Sequence, residues 1–208
     1  MKKYFITAIS NQRRLSACRY ETNQADLQYD GETAYPVMHL LANHIQPGDA
    51  AEVIAIDFQD NPPENFDLLK EDLCALERKF QTKITLTVLS HGLSETNYEH
   101  RNLFKLLVQG IEDCSTVYAD LTYGTKPTPM VIALALFWIE LIRKYTDVAQ
   151  LIYGRIFWKA PQVIDRACIY DVTDILKIVN LTQRMEAIGG ENTEEAIFRL
   201  LETGGEGG

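Results

Sequence analysis

Short unbroken apolar runs alternate along the chain with stretches in which apolar residues return every three or four positions, and these two rhythms predict strands and helices in turn. Tyr4–Ile9 is a short, β-branched run that predicts a strand, and Ser10-Asn11-Gln12-Arg13-Arg14 predicts an exposed loop after it. Leu15–Glu21 and Leu27–Tyr29 flank the polar Thr22–Asp26 and predict a small hairpin. Asp30-Gly31 then turns the chain into a helix over Thr33–His44, where Val37, Leu40, Leu41 and His44 fall at helical spacing. Val53–Ile56 is continuously apolar, as expected of a parallel strand covered on both faces. Phe66, Leu69, Leu73, Leu76 and Phe80 mark an amphipathic helix. A strand at Ile84–Leu89 closes on Ser90-His91-Gly92, and a helix at Leu103–Ile111 precedes a strand at Cys114–Leu121. An apolar helix over Pro129–Tyr145 follows, then Ala149–Phe157 and Ala167–Val172 as an antiparallel ribbon, and a last helix over Asp174–Ala187.

Strands alternating with helices in this order predict an α/β fold: a Rossmann-like, doubly wound, mostly parallel sheet with a C-terminal β-ribbon and helix. The length of 208 residues suits one such domain, over residues 1–187. Residues 188–208, rich in Gly and Glu with one short amphipathic segment at Ala196–Leu201, read as a flexible tail or linker. The net charge of -9 argues against sequence-independent binding to long DNA or RNA, for which a basic face supplies most of the affinity. A small anion in a local pocket stays allowed. Cys18, Cys74, Cys114 and Cys168 are widely spaced and read as reduced core thiols. No export signal precedes the first strand, and the apolar run Met130–Ile139, ended by Glu140 and Arg143, is shorter than the roughly 20 residues of a membrane span. The expectation is a cytoplasmic protein with no membrane partner.

Ligands of open α/β sheets collect outside the carboxyl ends of the strands, where strand order reverses. Three loops qualify: Ser10–Arg14, Ser90–Asn97, and Asp120-Leu121-Thr122-Tyr123-Gly124-Thr125-Lys126-Pro127-Thr128-Pro129. The last combines a strand end, a glycine able to take positive φ, two hydroxyls, a lysine and the start of a helix with free N–H groups, which together make an anion cradle. Pro127 and Pro129 suit a first helical turn, and Thr125 or Thr128 is placed to cap it. Lys126 puts a positive charge at the positive end of a helix, an arrangement that favours a bound anion. The spacing is neither that of a Walker loop nor that of a dinucleotide fingerprint, and no cluster of His, Cys and carboxylates has metal-ligand spacing, so neither a cofactor nor a metal is expected.

The first strand ending in Ser10-Asn11, the turn Asp120–Pro127 leading into an apolar helix, and the ribbon through Tyr153-Gly154 and Tyr170-Asp171-Val172-Thr173 together resemble the CRISPR-associated Rossmann-fold (CARF) sensor domain. The likeness runs in element order over residues 1–187, and its residue-specific part is the Thr-x-Gly-Thr-Lys turn. It implies a homodimer that binds a cyclic oligoadenylate, the second messenger of type III CRISPR antiviral defence, with cyclic tetra-adenylate favoured over hexa-adenylate. The ring would lie in a two-fold groove, held by Ser10 and Asn11 of the first loop and by Thr122, Tyr123, Gly124, Thr125 and Lys126, while a fused or associated effector domain acts on the signal. Tyr123 either stacks on an adenine or covers the sheet edge, and His91 either lines the groove or caps its strand. The apolar helix Met130–Ile142 reads as a dimer interface, or as a helix covered by the ribbon. A second reading is a ring nuclease that works without metal. A ribose 2′-hydroxyl attacks the neighbouring phosphate and leaves a 2′,3′-cyclic phosphate, with Lys126 and the N–H groups of Gly124 and Thr125 stabilising the developing charge and Ser10 or Asn11 positioning the sugar. A third is an α/β protein that binds another small anion or only a protein, with the turn a plain helix start.

Overall fold

The computed structural model describes residues 1–92, 94–160, 163–187, 195, 197 and 198. The chain divides into two compact units, Met1–Asp171 and Val172–Gly208.

The first unit is built on β1 (Lys2–Ala8), β2 (Tyr20–Glu21), α1 (Val37–His44), β3 (Ala51–Phe58), α2 (Pro63–Phe80), β4 (Ile84–His91), α3 (Asn97–Gly110), β5 (Ser115–Asp120), α4 (Thr128–Ile142), β6 (Asp147–Ala160) and β7 (Val163–Asp171). The second contains α5 (Thr173–Ala187). The strands form one seven-stranded sheet in the order β2-β7-β6-β5-β1-β3-β4. All pairings are parallel except β6 with β7. This is the Rossmann-like, doubly wound α/β arrangement that the alternation of runs predicts.

β1 is the hub. It pairs with β3 on one side and β5 on the other, and Tyr4, Phe5, Ile6, Ala8 and Ile9 are all buried, which is why this segment reads as an uninterrupted apolar run. Strand order reverses between β1 and β5: the chain builds outward through β3 and β4, then returns to add β5 and β6 on the other side. The two faces are covered by different helices. Tyr118 of β5 stacks on His44 of α1 with ring centroids 4.5 Å apart, so its face is the α1 face. Gly110 of α3 lies over Ile54 on the other face, where α3 packs alongside α4.

Several details depart from the pattern-based expectations. The hairpin over Leu15–Tyr29 does not form. Cys18 makes an isolated bridge to Thr33, residues 25–27 make a single 3-10 turn, and β2 lies parallel to β7, a partner far along the chain that local alternation cannot reveal. Helix α1 begins at Val37 rather than Thr33, because the Thr33 hydroxyl bonds the backbone N–H of Tyr35 and holds an extended corner before Pro36. Helix α3 begins at Asn97, two turns before Leu103, where Thr96 caps it by accepting from the Glu99 N–H at 3.3 Å. The ribbon is longer than expected, and its first half is also the parallel neighbour of β5. The cysteines are free, but Cys74 and Cys114 are exposed rather than core thiols: Cys74 lies on the outer face of α2, and Cys114 in the loop before β5. Of the tail 188–208, only residues 195, 197 and 198 are described, so the expected amphipathic segment Ala196–Leu201 and the flexible tail lie for the most part outside the described residues. Among the described residues no helix is long and apolar enough to cross a membrane.

Candidate functional site

The carboxyl ends of β1 and β5 lie side by side at the reversal of strand order, and the first loop and the Thr122–Lys126 turn follow from them. Asp120, the last residue of β5, ties them together. Its carboxylate is fully buried, and Oδ2 accepts from Thr7 Oγ1 of β1 at 3.1 Å and from the N–H of Val37, the first residue of α1, at 3.1 Å. Oδ1 accepts from the N–H of Thr122 at 2.9 Å and from the Thr122 hydroxyl. Burial pushes the Asp120 carboxyl above the usual carboxylate range, while these hydrogen bonds pull the other way.

The Thr122 hydroxyl also accepts from the N–H of Gly154 in β6 at 2.7 Å. Gly154 is required there, since a Cβ would stand 2.5 Å from Pro36 Cγ and 3.0 Å from Thr122 Oγ1. Gly124 has φ +109, and a Cβ on it would meet the Thr128 Cβ at 2.7 Å, so both conformation and space demand glycine. Thr125 and Thr128 are joined twice over: the Thr125 N–H donates to Thr128 Oγ1 at 3.1 Å, and the Thr128 N–H donates to the Thr125 carbonyl at 3.0 Å. This corrects the expectation that one of them caps α4, because their hydroxyls face each other at 3.0 Å and neither bonds an N–H within the helix.

What remains open at the turn is backbone and charge. The N–H groups of Tyr123, Gly124 and Lys126 donate to no acceptor among the described residues. The Lys126 side chain is exposed, with no ion pair or hydrogen bond to a described residue. The site can therefore offer an anion one ammonium and several N–H groups at the positive end of a 15-residue helix.

The other candidate residues fall in different places. Ser10 is buried, its hydroxyl accepting from the Gln12 N–H at 3.3 Å and its carbonyl from Asn65 Nδ2 at 2.8 Å, while Asn11 beside it is exposed. Tyr123 turns inward. Its phenol donates to the Ala34 carbonyl at 2.8 Å, its ring meets Tyr35 edge-on, and burial pushes its hydroxyl pKa up, so no ring face is left for an adenine and the covering role is the one it takes. His91 is buried at the end of β4, with Nδ1 2.6 Å from the Gly92 carbonyl. Strands β3 and β1 separate it from β5, so it is not brought together with Lys126. It instead packs on Phe58 and on His100 of α3.

His100 lines an open pocket of about 420 Å³ between the first turns of α3 and α4, with Asn97, Arg101, Phe104, Val131 and Leu134. Below it, Met130, Leu134, Trp138, Leu141 and Ile142 leave one face of α4 exposed, from 67% at Met130 to 47% at Trp138. Val131, Ile132, Ala135, Leu136 and Ile139 of the same helix are buried. Thr7 escapes sequence reasoning because it looks like any strand residue, and Asp120, which opens the turn that the sequence singles out, shows there no sign of its bonds to Thr7 and Val37, since only the pairing of β1 with β5 makes them neighbours. Gly154 carries a faint signal, a glycine interrupting a β-branched ribbon.

No protein-family model matches this sequence, and a search of curated proteins returns no match.

Proposed function

We propose that the chain is the sensor part of a type III CRISPR antiviral effector and binds a cyclic oligoadenylate, cyclic tetra-adenylate before hexa-adenylate, in a groove between two copies. One observation carries the reading: the turn of Thr122–Lys126 stands at the reversal of strand order with unengaged N–H groups and an unpaired Lys126. Two-fold symmetry would bring two such turns to one ring, so that several phosphates meet two ammonium groups and two sets of N–H donors. The hydroxyls of Thr122 and Ser10 serve the scaffold, and in this reading the ring is held by Lys126, by the backbone at Gly124 and by Asn11. The exposed apolar face of α4 is the surface offered to the second copy. Such a sensor works in the cytoplasm, coupled to a fused or associated effector, without long nucleic acid or membrane as partner.

Calorimetric titration with cyclic tri-, tetra- and hexa-adenylate, followed by chromatography of the recovered ligand, tests this. Binding of one intact ring per two chains is the expected result. Recovery of linear product would make the protein a ring nuclease, and no heat with any ring would overturn the assignment.

A further inference from the structure

The ribbon carries a second group of binding-type side chains, remote in sequence from the turn. Ile152 of β6 is in register with Asp120, the last residue of β5, so the rest of β6, through Ala160, runs past the carboxyl edge of the sheet with β7 as its partner. Because Gly154 faces α1, alternation places Tyr153, Arg155 and Phe157 on the opposite face, the one covered further back by α3 and α4. The cross-strand pairs Tyr153 with Tyr170, Arg155 with Cys168 and Phe157 with Arg166 put the two strands' side chains on that same face.

These side chains form a mixed aromatic and cationic surface. Tyr153 and Tyr170 are 41% and 43% exposed, side by side. The Arg155 and Arg166 guanidiniums lie against the Phe157 ring, 4.5 Å and 4.3 Å from its centroid. Neither guanidinium has a carboxylate partner among the described residues, although the chain carries a net charge of -9 and Asp165 adjoins Arg166 in sequence. Two like charges are thus held against one ring with their donors unspent, a placement whose cost an anion relieves.

We propose that this ribbon face is a binding site for a short single-stranded oligonucleotide, with phosphates on Arg155 and Arg166 and bases on the rings of Tyr153 and Tyr170. A pair of guanidiniums beside a pair of exposed rings suits a ligand that carries both anionic and aromatic groups. A duplex hides its base faces, and an acidic peptide gives the tyrosines nothing to stack on. From Tyr153 to Phe157 the strand spans about 13 Å, enough for a few nucleotides only, and a short contact is what an acidic chain can sustain. The site stands on the ribbon's own residues, whatever occupies the turn at Lys126.

The test is fluorescence anisotropy of the full chain with labelled linear hexa-adenylate, over a range of salt concentrations, alongside labelled hexaglutamate. Hexa-adenylate is expected to bind and hexaglutamate not to. The double variant Arg155→Ala/Arg166→Ala should weaken binding at least tenfold and flatten the salt slope by about 1.4, the change for two lost phosphate contacts on a single strand. Tyr153→Ala/Tyr170→Ala should weaken it about tenfold or more with the salt slope unchanged. Binding that falls with Lys126→Ala and with neither ribbon variant would place the oligonucleotide at the turn instead and overturn the proposal. Equal binding of hexaglutamate, no binding of hexa-adenylate, or affinity indifferent to both ribbon variants would overturn the proposal. So would a ribbon variant that changes the oligomeric state and leaves binding intact, because the face would then be a protein interface.

Discussion

At the scale of single residues, the turn of Thr122–Lys126 separates side chains that hold the fold from those left for a ligand. Gly124 and Lys126 are two positions apart and differ in kind. At Gly124 a methyl group would strike Thr128 at 2.7 Å in a backbone of φ +109, so Gly124→Ala is expected to cost roughly 1–3 kcal/mol and to lower the melting temperature. At Lys126 nothing is packed, so Lys126→Ala should change stability by less than about 0.5 kcal/mol and yet abolish binding of a cyclic oligoadenylate. Paired melting curves and titrations check both. Stability lost at Lys126, or ligand binding kept there, would remove it from the site. The turn was legible in the sequence because glycine, lysine and proline each have a narrow local meaning. Tyr123 was not: whether a ring faces in or out depends on Ala34 and Tyr35, almost ninety residues earlier, which no local pattern can report.

At the scale of elements, α4 sits between two requirements. Its inner face closes the sheet, while Met130, Leu134, Trp138, Leu141 and Ile142 face outward. A helix apolar all round is stable only when covered all round, and coverage by a second copy predicts that Leu134→Glu or Leu141→Glu converts a dimer to a monomer of unchanged circular dichroism. Light scattering after size exclusion measures this. In the unaltered chain the melting temperature should rise with protein concentration, as it does when only the folded state associates. A dimer that survives both substitutions would place the interface elsewhere. Hydrophobic period alone revealed that α4 is apolar on all sides, though not which half of it the sheet would take. The strands β1, β3 and β5 were equally plain, since burial on both faces makes a continuous run. β2 falls within the expected arm Leu15–Glu21, but its partner was missed, because two residues pairing with a strand near the far end of the chain leave no periodic trace.

At the scale of the sheet as a whole, stability should be graded from the hub outward. Backbone amides of β1, flanked by β3 and β5 and covered on both faces, are expected to exchange with solvent only through global unfolding. Those of β4, at an edge, and of the β6–β7 ribbon beyond Gly154 should open locally and exchange faster. Native-state hydrogen exchange read by mass spectrometry distinguishes the two classes, and uniform protection across the sheet would contradict this gradient. The doubly wound topology was recoverable from element order, because crossovers of one hand leave few alternatives. The meeting of Thr7, Val37, Thr122 and Gly154 around the end of β5 was not, being a product of register between distant strands.

The position of β1 also bears on how the chain is made. It leaves the ribosome before either neighbour, and more than a hundred residues separate Ala8 from Ser115 at the start of β5. At roughly 5–20 residues per second, one edge of this buried strand stays bare for about 5–20 s. During biosynthesis this strand is therefore a segment that waits for its partner, and a codon change that slows translation before β5 lengthens the period in which nascent chains can stick to one another.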